Sequence, residues 1–407
     1  ILAPGFADDP QRFALAVDLT RITFPYLLLM TLVTLYSGIL NAIERFASAA
    51  AAPIMLNLSM IVALALAAFF PTAGHAAAWG VLTAGFLEAL LVGADLQWKG
   101  SLPRLRGFSW DEDVRRFFKA LGPATLGSAG VQLALFADTI VASFLAAGAL
   151  SALYYADRLN QLPIGVIGIA VGTVLLPDMA RRIAAGDEAG AQDAQNRSVE
   201  LTLLLALPCM AAFLLIPDLI MRALFARGAF TAADAKAAGL TLSAYALGLL
   251  PFVLIRSATA TFLARGDTAT PVKASLIAVV INIAFKVALM GPLAQVGLAL
   301  ATTIGAWVNF GLVVWFAHKA GLARLDARLR SSAPKLALAT LALAGAVWLC
   351  AAPIRNAAGA LPLLRDEAAL AAIALIGGIV YGAAVLVLLG PAWLKVFRRP
   401  QTASACG

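Results

Sequence analysis

Apolar and polar residues in this chain are segregated into long blocks rather than alternating along it. Runs dominated by Ala, Leu, Val and Ile fill Thr20–Ile43, Pro53–Phe70, Ala76–Trp98, Leu121–Ala147, Leu162–Ala180, Leu201–Ile216, Ala238–Leu263, Val272–Met290, Val296–Ala317, Leu336–Ala352 and Ala368–Leu389. Crossing the hydrocarbon core of a bilayer takes about 20 such residues in a helix. The pattern predicts an all-α, polytopic membrane protein of about eleven transmembrane helices. Polar connectors are short, the longest being Lys99–Lys119 and Ala180–Arg197. In the first, Leu105, Phe108, Trp110, Val114, Phe117 and Phe118 are interleaved with basic residues, which suits a helix lying in the headgroup layer.

Composition agrees. The 407 residues are 62% hydrophobic and 13% charged, against roughly a quarter charged in a soluble globule. A formal charge of +8 raises the question of a nucleic-acid partner. Its distribution argues against one. If the first block runs from outside to inside, most of the 30 Lys and Arg fall in inside segments, among them Arg45, Arg181, Arg182, Lys395, Arg398 and Arg399. The positive-inside rule then places the C-terminus in the cytoplasm. Cys209, Cys350 and Cys406 lack CxxC spacing, and His75 and His318 have no HxxxH or HExxH neighbours. Neither a metal centre nor a cofactor is expected. Ile1 is not a start methionine and no basic n-region precedes an apolar one, so the chain reads as truncated.

The first three blocks share punctuation with the seventh to ninth. Pro25 and Pro251 each sit within a long span, and Glu44-Arg45 or Arg265-Gly266-Asp267 follows as a tight inside turn. Pro53 and Pro271 open the next spans, and Thr83-x-Gly85 matches Thr303-x-Gly305. Parallel repeats of this kind build many transporters. Equivalent halves would put three further spans before Ile1.

The stretches ITFPYLLLMTLVTLYSGILNAIERF, APIMLNLSMI, LGPATLGSAGVQLALFADTIVASFLAAG, SALYYADRLNQLPIGVIGIAVGTVLLP, LFARGAFTAADA and ARGDTATPVK resemble the MurJ/MviN family of lipid II flippases. That family belongs to the multidrug/oligosaccharidyl-lipid/polysaccharide exporter superfamily. The resemblance implies a two-lobed fold of fourteen helices, here lacking the first three. Residues 1–119 would be the rest of an N-terminal lobe, 120–325 a six-helix C-terminal lobe, and 326–407 a C-terminal helix pair and tail. It implies a non-enzymatic transporter in the bacterial inner membrane. Undecaprenyl-diphosphate-linked peptidoglycan precursor (lipid II) would move from the cytoplasmic to the periplasmic leaflet by alternating access. Partners expected on this basis are lipid II, membrane lipids and the cell-wall synthesis machinery, around a monomer. Several arginines of the family's first two helices have no counterpart here.

Candidate site residues follow from chemistry and resemblance together. Arg158 opens the fifth block, and its planar fork matches a diphosphate better than an ammonium would. On chemistry alone it serves equally as a helix-end arginine snorkelling to headgroups; the resemblance favours the first role. Asp157 is expected to orient it or to make a gate contact, and Gln161 stands where some relatives carry an acid. Arg256, deep in a span, should face a cavity or a carboxylate. Arg21 stands at the outer end of the first block, where loop solvation accounts for it equally well. Asp138, Asn282, Lys286 and Thr302 form a second group, at positions where some relatives hold sodium. Lys286 replaces an acid there, which favours an ion pair with Asp138 over a metal. Glu88 and Asp95 read as a polar helix face or a cavity wall.

Two rival functions remain. A sister exporter of drugs or another polyprenyl-linked sugar would share the fold, and a drug-cation exporter should line its path with carboxylates rather than arginines. An intramembrane glycosyltransferase would need surface carboxylates, and Asp111, Glu112 and Asp113 are the one dense acidic cluster, set among basic residues.

Overall fold

The apolar blocks fold as helices. The computed structural model describes residues 4–6, 9–101, 103, 110–112, 114–118, 121, 136, 139–146, 148–361, 364–391 and 393, without the side chains at 169, 170, 173 and 174. The principal helices are α1 (Pro10–Thr23), α2 (Tyr26–Ala42), α3 (Ala47–Ala65), α4 (Ala73–Trp98), α5 (Ala149–Ala184), α6 (Glu188–Leu215), α7 (Pro217–Phe225), α8 (Ala232–Leu263), α9 (Ala269–Lys319), α10 (Ala327–Ala358) and α11 (Arg365–Leu389). No strand occurs among the described residues.

Eight helical segments among the described residues are long and apolar enough to cross a membrane, with α1 and α2 counted as one. The 51-residue α9 covers two predicted blocks. It breaks at Ala294, whose φ of 45° and ψ of −128° are not helical. Beyond the break the chain folds back, because Gly297 lies against Leu289 and Gly305 against Asn282. Block Leu162–Ala180 lies within the 36-residue α5. Block Leu121–Ala147 and the connector Lys99–Lys119 fall largely outside the described residues.

One predicted connector is shorter than expected. Ala180–Arg197 is mostly helix, since α5 runs to Ala184 and α6 starts at Glu188. Its polar residues are satisfied within the helix ends. Arg182 pairs with Asp178 at 2.9 Å, and Asp187 caps α6 by accepting from the Gly190 amide at 2.8 Å.

Two compact units emerge, Ala3–Thr125 and Leu126–Gly407 with the first two residues. In the first, α2, α3 and α4 surround Val33, Leu40, Ala52, Val92 and Leu96. Pro25 stands between α1 and α2, where its missing amide interrupts the ladder. Ser59 of α3 donates to the Gly80 carbonyl of α4 at 2.8 Å. Glu88 and Asp95 prove to be buried, at 2% and 5% exposure. Asp95 meets Arg45 at 2.9 Å and accepts from Ser48, so it holds α4 to the α2–α3 turn.

In the second unit α5 and α8 run side by side in parallel. Asp157 and Tyr245 line one cavity, and further along both helices Gly168 meets Arg256. The helix pair α10–α11 packs on α6 through Leu207, Leu336, Ala339, Val385 and Trp393. Two of the recognised motifs are turn chemistry. In LFARGAFTAADA, Thr231 and Asp234 form a reciprocal capping box at the start of α8. In ARGDTATPVK, Gly266 takes a φ of 79° that a side chain would disfavour. Asp267 then accepts from the amides of Ala269 and Thr270 and from the Thr270 hydroxyl. The Thr270 hydroxyl, first among these bonds, holds the Asp267 carboxyl below its usual range.

Candidate functional site

Arg158 and Asp157 are neighbours on α5 and therefore point about 100° apart around the helix. Arg158 is exposed. Its Nη2 donates to the Tyr154 hydroxyl at 3.0 Å, and the guanidinium lies 4.9 Å from the centre of the Tyr154 ring. A tyrosine one turn earlier thus holds the fork by a hydrogen bond and a cation–π contact. Asp157 was expected to orient Arg158 or to make a gate contact; its side-chain hydrogen bond goes to Gln161. The i,i+4 spacing brings Gln161 to it, whereas Arg158 leaves on another face.

Asp157 faces into the second unit. With Tyr154, Gln161, Tyr245, Lys286 and Thr302 it lines a cavity of about 450 Å³. The sequence suggested two separate groups, Asp157 with Arg158 and Lys286 with Thr302. Folding places Asp157 beside the second group. Lys286 is 3% exposed and Asn282 9%, on one face of the first arm of α9. Thr302, on the returning arm, donates to the Leu298 carbonyl at 3.0 Å. Asn282 packs on Gly305, where an added methyl would come within 2.9 Å of its Cβ. Asp138 lies outside the described residues, and so does its expected pairing with Lys286. Tyr245, 8% exposed, was missed in the sequence. Its signal was a phenol in the middle of an apolar block, since a buried tyrosine hydroxyl usually seeks a partner.

Arg256 of α8 is exposed and crosses the surface of α5. A methyl on Gly168 would sit 2.6 Å from its Nε and 2.9 Å from its Cδ. Gly168 is therefore the notch in which this arginine lies. Among the described residues no carboxylate pairs with Arg256 or with Arg158. Arg21, in the other unit, is exposed and meets Asp18 at 3.8 Å, a solvated pair.

A further polar cluster escaped the sequence reading. Glu200 of α6 is fully buried, and Arg197 at 2.6 Å, Arg328 at 3.2 Å and Ser332 at 2.6 Å converge on it. Arg197 also pairs with Asp326, and Asn196 donates to the Arg324 carbonyl at 3.0 Å. At the other end of the α10–α11 pair, Arg222 of α7 reaches Asp366 of α11 at 3.3 Å and Arg227 reaches Glu367 at 2.8 Å. The α10–α11 pair is thus held to the rest of its unit by ion pairs at both ends. Among the described residues no group of three His, Cys, Asp or Glu side chains could hold a metal.

Long apolar helices that carry arginines and a buried lysine define a multi-pass α-helical membrane protein. Residues 1–364 match the family described as "Lipid II flippase MurJ". A probable lipid II flippase MurJ of Rhizobium meliloti (strain 1021) is 38% identical over 370 residues, covering 88% of this chain and 68% of that protein. One from Rhizobium tropici is 41% identical over 313 residues, covering 76% of this chain and 58% of that protein. A solved structure of lipid II flippase MurJ in an inward closed conformation shares the fold with a TM-score of 0.75 and 21% identity, over 96% of this chain and 76% of that one. The chain belongs to the MurJ family. It spans about two-thirds or less of the length of these two relatives.

Proposed function

We propose that the protein of which this chain is part flips lipid II from the cytoplasmic to the periplasmic leaflet of the inner membrane by alternating access. One observation carries the reading. Arg158 and Arg256 stand exposed on membrane-length helices, each positioned by a neighbour and neither paired with a described carboxylate. A guanidinium on such a helix is costly unless something uses it. The diphosphate of a polyprenyl-linked sugar is the anion that its fork fits. Outward movement down an inside-negative potential would gain about 2.3 kcal/mol per charge per 100 mV.

In this reading the protein makes and breaks no covalent bond. It acts as a monomer beside the cell-wall synthesis machinery, with its C-terminus in the cytoplasm. Residues 1–119 and 120–325 serve as the remainder of one lobe and a six-helix lobe, followed by a helix pair at 326–407. The positions of Asp138, Asn282, Lys286 and Thr302 are those where some relatives hold sodium, and here the Lys286 ammonium supplies the positive charge. A drug-cation exporter is disfavoured because Asp95 and Glu200 are committed to buried ion pairs.

The test is leaflet accessibility of labelled lipid II in cells depleted of their native flippase. Full-length protein should restore outward movement and Arg158→Ala should not. Normal flipping and growth with the alanine variant would overturn the assignment.

A further inference from the structure

Arg158 and Arg256 are too far apart to hold one diphosphate together. Gly168, on which Arg256 rests, lies ten residues beyond Arg158 on α5. At about 1.5 Å per residue that is about 15 Å along the helix. The Arg158 side chain widens the gap, because it turns back to Tyr154, one turn nearer the helix start. Side chains on a helix lean toward its N-terminus, so this direction is the relaxed one. Arg256 is equally committed, with its Nε and Cδ laid over the Gly168 backbone. The parallel packing of α5 and α8 agrees. Tyr245 shares the cavity of Asp157, and Arg256 comes three turns later on the same helix. Charge-assisted bonds from arginine to a phosphate oxygen close at about 2.7–2.9 Å. Two phosphorus atoms on one bridging oxygen span far less than the distance between these forks.

We infer that Arg158 and Arg256 are two separate anion stations along α5, which engage an isoprenoid diphosphate in succession rather than as one clamp; this rests on the flippase reading above. Arg158 is the station nearer the start of α5 and Arg256 the one further along it. Tyr154 and Gly168 are positioning residues, one for each fork. A headgroup leaving Arg256 would be received by Arg158 about three turns away.

The experiment titrates purified full-length protein with farnesyl diphosphate, a short probe that carries the same headgroup chemistry. Two independent sites are expected. Arg158→Ala should weaken one at least tenfold and leave the other within about twofold, and Arg256→Ala should do the reverse, as expected for groups with no shared partner. Arg158→Lys and Arg256→Lys, which keep the charge but lose the fork, should each weaken only their own site and guard against misfolding of the alanine variants. A single site lost in either variant would mean one shared clamp, which overturns the two stations and leaves the flippase reading standing. Unchanged titrations in all variants, together with normal leaflet transfer, would overturn the role of both arginines.

Discussion

Gly168 of α5 and Arg256 of α8 interlock: the absent side chain of the glycine is the space that the arginine occupies. The contact is between a backbone and a flexible stem, so it sets the direction of the guanidinium more than it sets stability. Gly168→Ala should therefore fold, because alanine is favoured over glycine in a helix by about 0.5–1 kcal/mol. It should still push Arg256 off α5 and slow lipid II transfer several-fold. Thermal unfolding and leaflet accessibility, measured on the same variant, separate the two effects. Wild-type transfer would show that the direction of this arginine is irrelevant.

Glu200 is the anchor for the C-terminal helix pair. Glu200→Ala would take the shared carboxylate from Arg328 and leave Arg197 with Asp326 alone. Removing one member of a buried pair typically costs about 3–5 kcal/mol. A large fall in unfolding temperature is expected, with proteolysis near 320–326 as α10 loosens from α6. A variant as stable as the parent would show that the apolar contacts around Leu207 and Leu336 suffice.

The two arms of α9 predict a contrast between glycines. Gly297 lies against the Leu289 backbone, whereas nothing stands within 4 Å of where a Gly311 side chain would begin. Gly297→Ala must move backbone and should destabilise by about 1–3 kcal/mol or more. Gly311→Ala should be neutral or slightly stabilising. Equal unfolding midpoints would contradict the fold-back at Ala294.

Asp157 and Lys286 line the same cavity from different helices. Energetic coupling between them is expected to exceed about 0.5 kcal/mol in a double-mutant cycle of Asp157→Asn and Lys286→Met, read by thermal unfolding. Strict additivity would place them in separate environments.

Much of this was legible along the chain, for a physical reason. Hydrocarbon forces each spanning segment to satisfy its own backbone, so composition over about 20 residues announces a helix without reference to its neighbours. The blocks from Pro53 to Leu389 accordingly appear mostly as helices where they are described, and Arg158, Arg256 and Lys286 stood out as charges in apolar surroundings. Ends were less legible. The polar run Ala180–Arg197 reads as a loop in composition, yet its i,i+4 pairs keep it helical.

By itself, then, the sequence determined an all-α membrane protein, the identity of its spans and the few ionisable residues within them, because each depends on local hydropathy. The tertiary structure alone decided which of those residues meet. Asp157 bonds Gln161 and lines one cavity with Lys286, Tyr154 holds Arg158, Gly168 seats Arg256, Arg328 and Ser332 of α10 close on Glu200 of α6, and Asp326 just before α10 meets Arg197. Such meetings depend on the rotation and register of one helix against another, set by packing between residues far apart in the chain, and no local pattern encodes them.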